Sequence, residues 1–398
     1  MAIRTLDDLD AMDTAVGVRV DINSPLTEDE SLADDARLRA HVDTLAELLD
    51  RGARVAVLAH QGRPGGDEFA RLEPHAERLD ELLEFDVTYC DATFSADARG
   101  AVESLDAGEA VLLENTRFYS EEYMEFSPER AADTFLVSRL SPALDAFVND
   151  AFAAAHRSQP SLVGFPERLP SYAGRVMAEE LDVLGSIEET PTPRTYVVGG
   201  AKVPDSVTVV EHALEHDLAE HVLVTGVVGN VFLAADGVDI GRASTEFIHD
   251  RGYETEIERA SDVLDEYADR VELPVDVAVE RNGERTELDV TSLPPRRDEP
   301  LKDVGSDTIA AFEDILRTSG TAVLNGPAGV FEEETFAAGT REILAAATHA
   351  EYTVVGGGDT AAAIRAFDLS GFDHVSTGGG AALRLLTGES LPAVEVLR

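Results

Sequence analysis

Lysine is almost missing from this chain: 398 residues hold two of them, Lys202 and Lys302, against thirty arginines. A chain that avoids lysine without avoiding positive charge keeps its few ammonium groups for a chemical task. Lys202 stands in Gly199-Gly200-Ala201-Lys202, straight after the apolar run Tyr196-Val197-Val198. A cation at a glycine-rich strand end points to a bound phosphate. Cysteine is scarcer still: the single Cys90 excludes an internal disulfide and suits a reducing compartment. With no activating histidine near it in sequence, Cys90 is expected to be buried and inert. No apolar stretch approaches the ~20 residues of a membrane span and no signal pattern opens the chain, so a cytoplasmic protein without a membrane partner is expected. The absence of a basic stripe excludes nucleic acid as a partner. No Gly-Lys pair exists, which excludes a Walker A motif, and no repeat of 20–50 residues is visible.

What the chain has in excess is acid. Seventy-eight acidic against 32 basic side chains give a formal charge of −46 and a pI near 4.3, with 44% hydrophobic residues. The apolar residues come in periodic blocks, so this is an acid-coated globular protein and not a disordered tail. Such a charge repels itself in dilute buffer, whereas at molar salt the Debye length is only about 3 Å. A protein from a salt-rich cytoplasm is therefore expected.

Short β-branched runs alternate with amphipathic stretches from end to end, the pattern of parallel α/β architecture, and the length calls for two domains. Leu38, Val42, Leu45 and Leu49 follow helical spacing within residues 32–53, closed by Gly52. The run Arg54–Ala59 reads as a strand. Residues 171–190 read as one long interdomain helix ending at Pro191-Thr192-Pro193. The expected fold is two doubly wound parallel-sheet, Rossmann-like domains joined by that helix and a hinge. The first comprises 1–170 plus 381–398 and the second 171–380. Arg281-Asn282-Gly283 reads as a hairpin turn leading into an exposed polar loop, with Lys302 exposed in it.

In open parallel sheets ligands bind beyond the carboxyl ends of the strands. In the first half those ends read Arg19-Val20-Asp21-Ile22-Asn23, His60-Gln61-Gly62-Arg63-Pro64, Glu114-Asn115-Thr116-Arg117, and Asn149-Asp150 leading to His156-Arg157, with Arg37 opening the helix after the first strand. These are cationic ends in an anionic protein, suited to a small anion. In the second half they are glycine-rich: Gly199–Lys202, Asn325-Gly326-Pro327-Ala328-Gly329, Gly356-Gly357-Gly358-Asp359-Thr360 and Ser376-Thr377-Gly378-Gly379-Gly380. Glycine lets backbone N–H groups approach phosphate oxygens, which suits a nucleotide tail. Asp359 either caps the following helix or holds Mg²⁺ on nucleotide phosphates; the metal role is preferred. His212 and His216 are spaced like a zinc pair but read as a solvated helix face. A nicotinamide oxidoreductase using the Gly356–Ala361 loop finds no ribose-binding acid after the next strand, where Ser376 stands. A non-catalytic nucleotide sensor would not need the basic set.

Eight motifs in order, RVDINSPL (19–26), AHQGRP (59–64), LLENTRF (112–118), VNDAFAAAHRS (148–158), GGAKV (199–203), NGPAGVFE (325–332), GGGDT (356–360) and STGGGA (376–381), make the chain similar to the phosphoglycerate kinase family. The resemblance implies that an N-terminal domain binds 3-phosphoglycerate or 1,3-bisphosphoglycerate through Asp21, Ile22, Asn23, Arg37, His60, Gln61, Gly62, Arg63, Arg117 and Arg157. It implies that a C-terminal domain binds Mg-ATP or Mg-ADP through Gly200, Lys202, Asn325, Glu332, Gly357, Gly358, Asp359 and Thr360, with Glu332 on the ribose hydroxyls and Asp359 on Mg²⁺. Arg37, Lys202 and the N–H groups of Gly378, Gly379 and Gly380 then serve the moving phosphoryl group as hinge closure joins the reactants. A monomer is expected, with a dimer as the alternative. Pro204-Asp205-Ser206 after GGAKV, Leu324 before Asn325, and Thr225-Gly226-Val227-Val228-Gly229-Asn230 depart from the common pattern and resemble an archaeal, haloarchaeal type.

Overall fold

The apolar runs become strands wherever β-branched residues follow one another between glycine and acidic breaks. A computed structural model describes residues 3–27, 29–296 and 298–398. Six parallel strands form the first sheet: β1 (Ala15–Arg19), β2 (Arg54–Leu58), β3 (Val87–Cys90), β4 (Ala110–Leu113), β5 (Ala146–Asn149) and β6 (Ser171–Ala173), in the order β3-β4-β2-β1-β5-β6. The chain winds outward from β1 in one direction, then returns to continue in the other. That reversal makes the sheet doubly wound.

Alternate residues of each strand feed two different cores, as the two-residue period requires. Val55 and Val57 join Val16, Val18 and Val148 on one face, covered by Leu45, Leu48 and Leu49 of the helix Val42–Asp50 and by Ala76 and Leu79 of the helix Glu73–Leu82. Ala56 and Leu58 join Val111, Leu113 and Phe147 on the other, covered by Ala98 and Val102 of one helix and Leu136, Val137 and Leu140 of another. The spacing in residues 32–53 is interrupted once: a short helix Ala36–Ala40 ends at His41, which also starts Val42–Asp50.

The second unit contains β7 (Arg194–Val198), β8 (His221–Val224), β9 (Val271–Glu272), β10 (Asp276–Arg281), β11 (Glu284–Asp289), β12 (Leu301–Val304), β13 (Thr321–Asn325), β14 (Tyr352–Gly356) and β15 (His374–Val375). A parallel sheet runs β15-β14-β13-β7-β8-β9, and a small antiparallel sheet runs β11-β10-β12. The β10–β11 hairpin turns at Asn282 and Gly283, both with positive φ (56° and 80°), as a tight two-residue turn demands.

Residues 171–190 are not one helix. Ser171–Ala173 pair in parallel with Phe147–Asn149, the helix spans only Arg175–Gly185, and a 3₁₀ turn follows at Ile187–Glu189. Gly174 makes the break, because a Cβ there would lie 2.1 Å from an oxygen of Asp150. By contacts the first unit comprises Met1–Asp182 and Ser390–Arg398, and the second Val183–Glu389, so residues 171–182 pack with the first unit and 381–389 with the second. Lys302 belongs to β12, not to a loop, and its side chain is only 18% exposed between Glu280 and Glu333. Cys90 is half-buried at an edge strand, and burial raises its thiol pKa, in keeping with an inert role. Among the described residues no helix is long and apolar enough to cross a membrane.

Candidate active site

Strand register brings the first unit's cationic ends to one edge. Arg19 pairs across to Leu58 on one side and Asn149 on the other, so the segments after β1, β2 and β5 leave side by side. Arg37, in the short helix Ala36–Ala40, places its Nη1 2.9 Å from a carboxylate oxygen of Asp21. Arg117 is buried and donates to the Gly62 carbonyl at 2.7 Å. Burial, then the like charges of Arg157 and Arg19, push the Arg117 guanidinium down to about 10. Arg157 is lowered for the same first reason, with Arg63 and Arg37 adding repulsion against the attraction of Asp21. Guanidinium groups that depress one another form a positive pocket that an anion would relieve.

Burial by itself would raise the Asp21 carboxyl, but the surrounding positive charge holds it below its usual range. A protonated His60 would add to that effect. The Nδ1 of His60 lies 2.8 Å from Nη2 of Arg19, however, and a guanidinium only donates, so the imidazole is neutral and the arginines do the work.

Several expected ligands also brace the loops. Ile22 is fully buried in the core, which leaves its side chain unable to meet a substrate. Gln61 is fully buried: its amide nitrogen donates to the carbonyls of Ser24 (2.8 Å) and Glu68 (3.2 Å), and its oxygen accepts from the Ser24 N–H (3.0 Å). Asn23 accepts the Gly62 N–H at 2.7 Å, and Gly62 has φ +60° with Glu68 backbone 2.3 Å from where a Cβ would stand. These contacts join the loops after β1 and β2 into one surface, from which Arg63 projects exposed.

Two participants were invisible in the sequence. Arg19 is named in a strand-end motif, but only the structure reveals its side chain sealed beneath His60. His41 accepts the Asp21 N–H at Nε2 (3.1 Å) and sets Nδ1 2.7 Å from buried Asp150, whose other oxygen accepts the Val176 and Met177 N–H groups. Their chain positions carry no shared motif that could have linked them.

In the second unit, register aligns Val198 with Asn325 and Asn325 with Gly356, so three glycine turns emerge together. Their approach needs glycine: a Cβ on Gly326 would sit 2.3 Å from the Gly199 carbonyl oxygen. Beside them lies a cavity of about 780 Å³ lined by Gly200, Ala201, Gly226, Asn230, Ser244, Phe247, Lys302, Glu332 and Asp359 among others. Its size suits a nucleotide. Lys202 sits at the N-terminus of the helix Val203–Glu215, largely exposed, with Nζ 3.7 Å from Asp359. Gly357 (φ +88°) and Gly358 open the helix Gly358–Ala366, whose first turn carries Asp359.

Not every predicted nucleotide ligand is free. Thr360 is buried and accepts the Gly326 N–H at 2.8 Å, and Asn325 is buried at the end of β13. The Gly378 N–H is already taken by Ser376 Oγ at 3.0 Å, leaving Gly379 and Gly380 as the open part of that turn. Ser206 is buried, its hydroxyl directed at the Gly199 carbonyl (3.4 Å), so it braces the loop. His212 and His216 stack their rings 4.1 Å apart on a partly exposed face. Among the described residues no three His, Cys, Asp or Glu side chains gather as a metal cage. A single carboxylate beside the glycine turns, Asp359, fits a cation that arrives on nucleotide phosphates with most of its shell already supplied.

Comparison with known proteins agrees in every case. The family model described as Phosphoglycerate kinase matches residues 6–389. The chain is 71% identical over 398 residues to the phosphoglycerate kinase of Halobacterium salinarum, covering 100% of both. It is 63% identical to that of Natronomonas pharaonis, again covering 100% of both. A crystal structure of phosphoglycerate kinase from Pyrococcus horikoshii OT3 superimposes with TM-score 0.93 at 40% identity, covering 99% of this chain and 98% of that one. The enzyme structure from Coxiella burnetii gives TM-score 0.80 at 31% identity, covering 100% and 99%.

Proposed function

The chain belongs to the phosphoglycerate kinase family and carries that family's reaction, reversible phosphoryl transfer between 1,3-bisphosphoglycerate and ADP giving 3-phosphoglycerate and ATP; on that premise we propose how its residues divide the work. The arginine-lined edge of the first unit holds the acid substrate through Arg37, His60, Arg63, Arg117 and Arg157, with Asp21 and Asn23 shaping the loop. The observation that carries this assignment is the mutual repulsion of buried and half-buried guanidinium groups around a single carboxylate, in a chain of charge −46.

The second unit's cavity takes the nucleotide, with Gly200, Gly357 and Gly358 against the phosphates and Glu332 at the ribose. Asp359 would hold the Mg²⁺ that arrives with ATP or ADP, and the ion would supply neutralisation of phosphate charge. Phosphoryl transfer requires little covalent help from a protein, since alignment and charge neutralisation carry most of the acceleration. Arg37 and Lys202 are the cations we assign to the transferred group, and Gly379 and Gly380 its backbone donors. The substrates are small glycolytic metabolites, which supports a cytoplasmic place of action, and the acidic composition supports a salt-adapted enzyme.

A coupled assay of ATP-dependent 3-phosphoglycerate phosphorylation in molar KCl, paired with calorimetric titration of each substrate, tests the division. Arg117→Met is expected to weaken 3-phosphoglycerate binding and leave Mg-ADP binding in place. Equal loss of both would refute it.

A further inference from the structure

An arginine ending a parallel strand would ordinarily reach solvent, yet Arg19 is only 1% exposed. Its contacts form a directed chain. Nε donates to Ser161 Oγ at 3.0 Å, and that hydroxyl donates to Glu122 Oε2 at 2.6 Å while the Ser161 N–H donates to Glu122 Oε1 at 2.8 Å. Nη1 donates to the Val20 carbonyl. What remains is Nη2, which lies 2.8 Å from Nδ1 of His60. Because Ser161 and Glu122 are themselves buried, the guanidinium is desolvated, linked to the carboxylate only through Ser161, and has no lone pair to offer. His60 must accept, which leaves its one proton on Nε2. The Arg19 contact is the one side-chain hydrogen bond of His60 among the described residues.

We propose that Arg19 is a positioning residue for the phosphoryl-transfer reaction: it fixes the neutral Nε2–H tautomer of His60, so that the ring offers the acid substrate an uncharged hydrogen-bond donor. This rests on the reading of the arginine-lined edge as the acid-substrate site. The charged groups facing His60 are Arg19, Arg117 and Arg157 on one side of the balance and Asp21 on the other. Burial and the three guanidinium groups outweigh the carboxylate, so the ring stays neutral well below its ordinary range. A second consequence follows. The substrate contact made by His60 does not titrate across neutral pH, although histidine is the side chain most prone to do so.

The test is made on the full chain with selectively ¹⁵N-labelled histidine, His60 being assigned by its loss in His60→Gln. The expected spectrum has Nε2 protonated, Nδ1 bare, and no titration between about pH 5.5 and 8, against an ordinary midpoint of about 6.5. A ring protonated on Nδ1, or a midpoint near the ordinary value, overturns the proposal. Arg19→Lys, which keeps a donor-only cation, is expected to hold His60 neutral, whereas the double variant Arg19→Met with Glu122→Gln, which removes both buried charges, is expected to let His60 titrate and to make the 3-phosphoglycerate KM, but not the nucleotide KM, depend on pH. A purely structural Arg19 would leave both pH profiles parallel. If these variants do not fold, the wild-type spectrum still decides. In kinetics, His60→Asn, whose amide N–H falls near Nδ1, should raise the 3-phosphoglycerate KM about tenfold more than His60→Gln, whose amide falls near Nε2. Equal KM values combined with the expected spectrum would overturn the substrate reading of His60 and leave its tautomer control standing.

Discussion

Lys202 and Asp359 face one another with Nζ and Oδ2 3.7 Å apart, on two different glycine turns brought together by β7, β13 and β14. Both side chains are mostly exposed, so the pair contributes little to stability. On the proposed division of work, Lys202 offers a cation for phosphoryl oxygens and Asp359 a carboxylate for the metal.

Lys202→Ala is therefore expected to lower kcat by ~10²-fold or more with a modest change in nucleotide KM, as for loss of a contact strongest in the transition state. Asp359→Asn should instead raise the Mg²⁺ concentration at half-maximal rate. Steady-state assays across a Mg²⁺ series separate the two, and an unchanged kcat removes Lys202 from the chemistry.

Arg157 illustrates a residue kept against stability. Its charged form is disfavoured by burial and by Arg63 and Arg37. Arg157→Met should raise the urea midpoint of unfolding while increasing the 3-phosphoglycerate KM tenfold or more, about 1.4 kcal/mol of lost binding. A fall in the midpoint would mean the cluster is not under repulsive strain.

His75 links pH to stability. It is fully buried, with Nε2 3.1 Å from Gln61 Oε1, and burial lowers it to about 4 from an ordinary 6.5. The unfolded chain takes up this proton first as pH falls, so the stabilisation is complete above about pH 6.5 and drains away toward pH 4. His75→Gln should flatten that limb by up to ~1.4 kcal/mol per pH unit, one proton's worth, in denaturant titrations at fixed molar salt. An unaltered slope would assign the acid limb to other groups, His60 first.

Lys302 reaches Glu280 (2.9 Å) and Glu333 (2.8 Å), its ammonium lies 4.8 Å from the Phe336 ring centre, and its carbonyl accepts the Val330 N–H at 2.9 Å. It thus ties down the turn that carries Glu332 at the cavity rim. Lys302→Met should raise the nucleotide KM several-fold, with kcat and the 3-phosphoglycerate KM held, because the turn loses its side-chain tie at Glu333 and two carboxylates lose their partner. A kcat effect in place of a KM effect would contradict this.

The charge of −46 is expected to make the fold salt-dependent. Circular dichroism should report unfolding in dilute buffer and recovery in molar KCl, where the Debye length falls to about 3 Å. Constant stability from millimolar to molar KCl would show that the acidic coat costs the fold nothing.

Sequence reading found the site's neighbourhood better than its working atoms. The strand ends were legible because a buried parallel strand is a run of apolar residues and its exit is marked by glycine or charge. Asn282-Gly283 was legible because few residue pairs tolerate two positive φ values. The bracing role of Gln61 was not legible because its amide is satisfied by Ser24 and Glu68, partners no local pattern names. Residues 171–190 were misread because a three-residue strand carries almost no periodicity, and only the Asp150 carboxylate against Gly174 reveals why the helix starts late. Lys302 was misread as loop because β12 is a short edge strand with two charges in it.

Residue types and their order were enough to determine a two-unit parallel α/β chain with cationic strand ends in one half and glycine-rich strand ends in the other, an acid coat and membership in one kinase family. Tertiary structure alone decided which of the named side chains are sealed among the loops and which face open space, and that the Arg19 guanidinium lies against Nδ1 of His60. The reason is that a hydrogen bond is settled by two partners, and at these sheet edges the partners come from loops far apart in the chain that meet only when the strands fall into register.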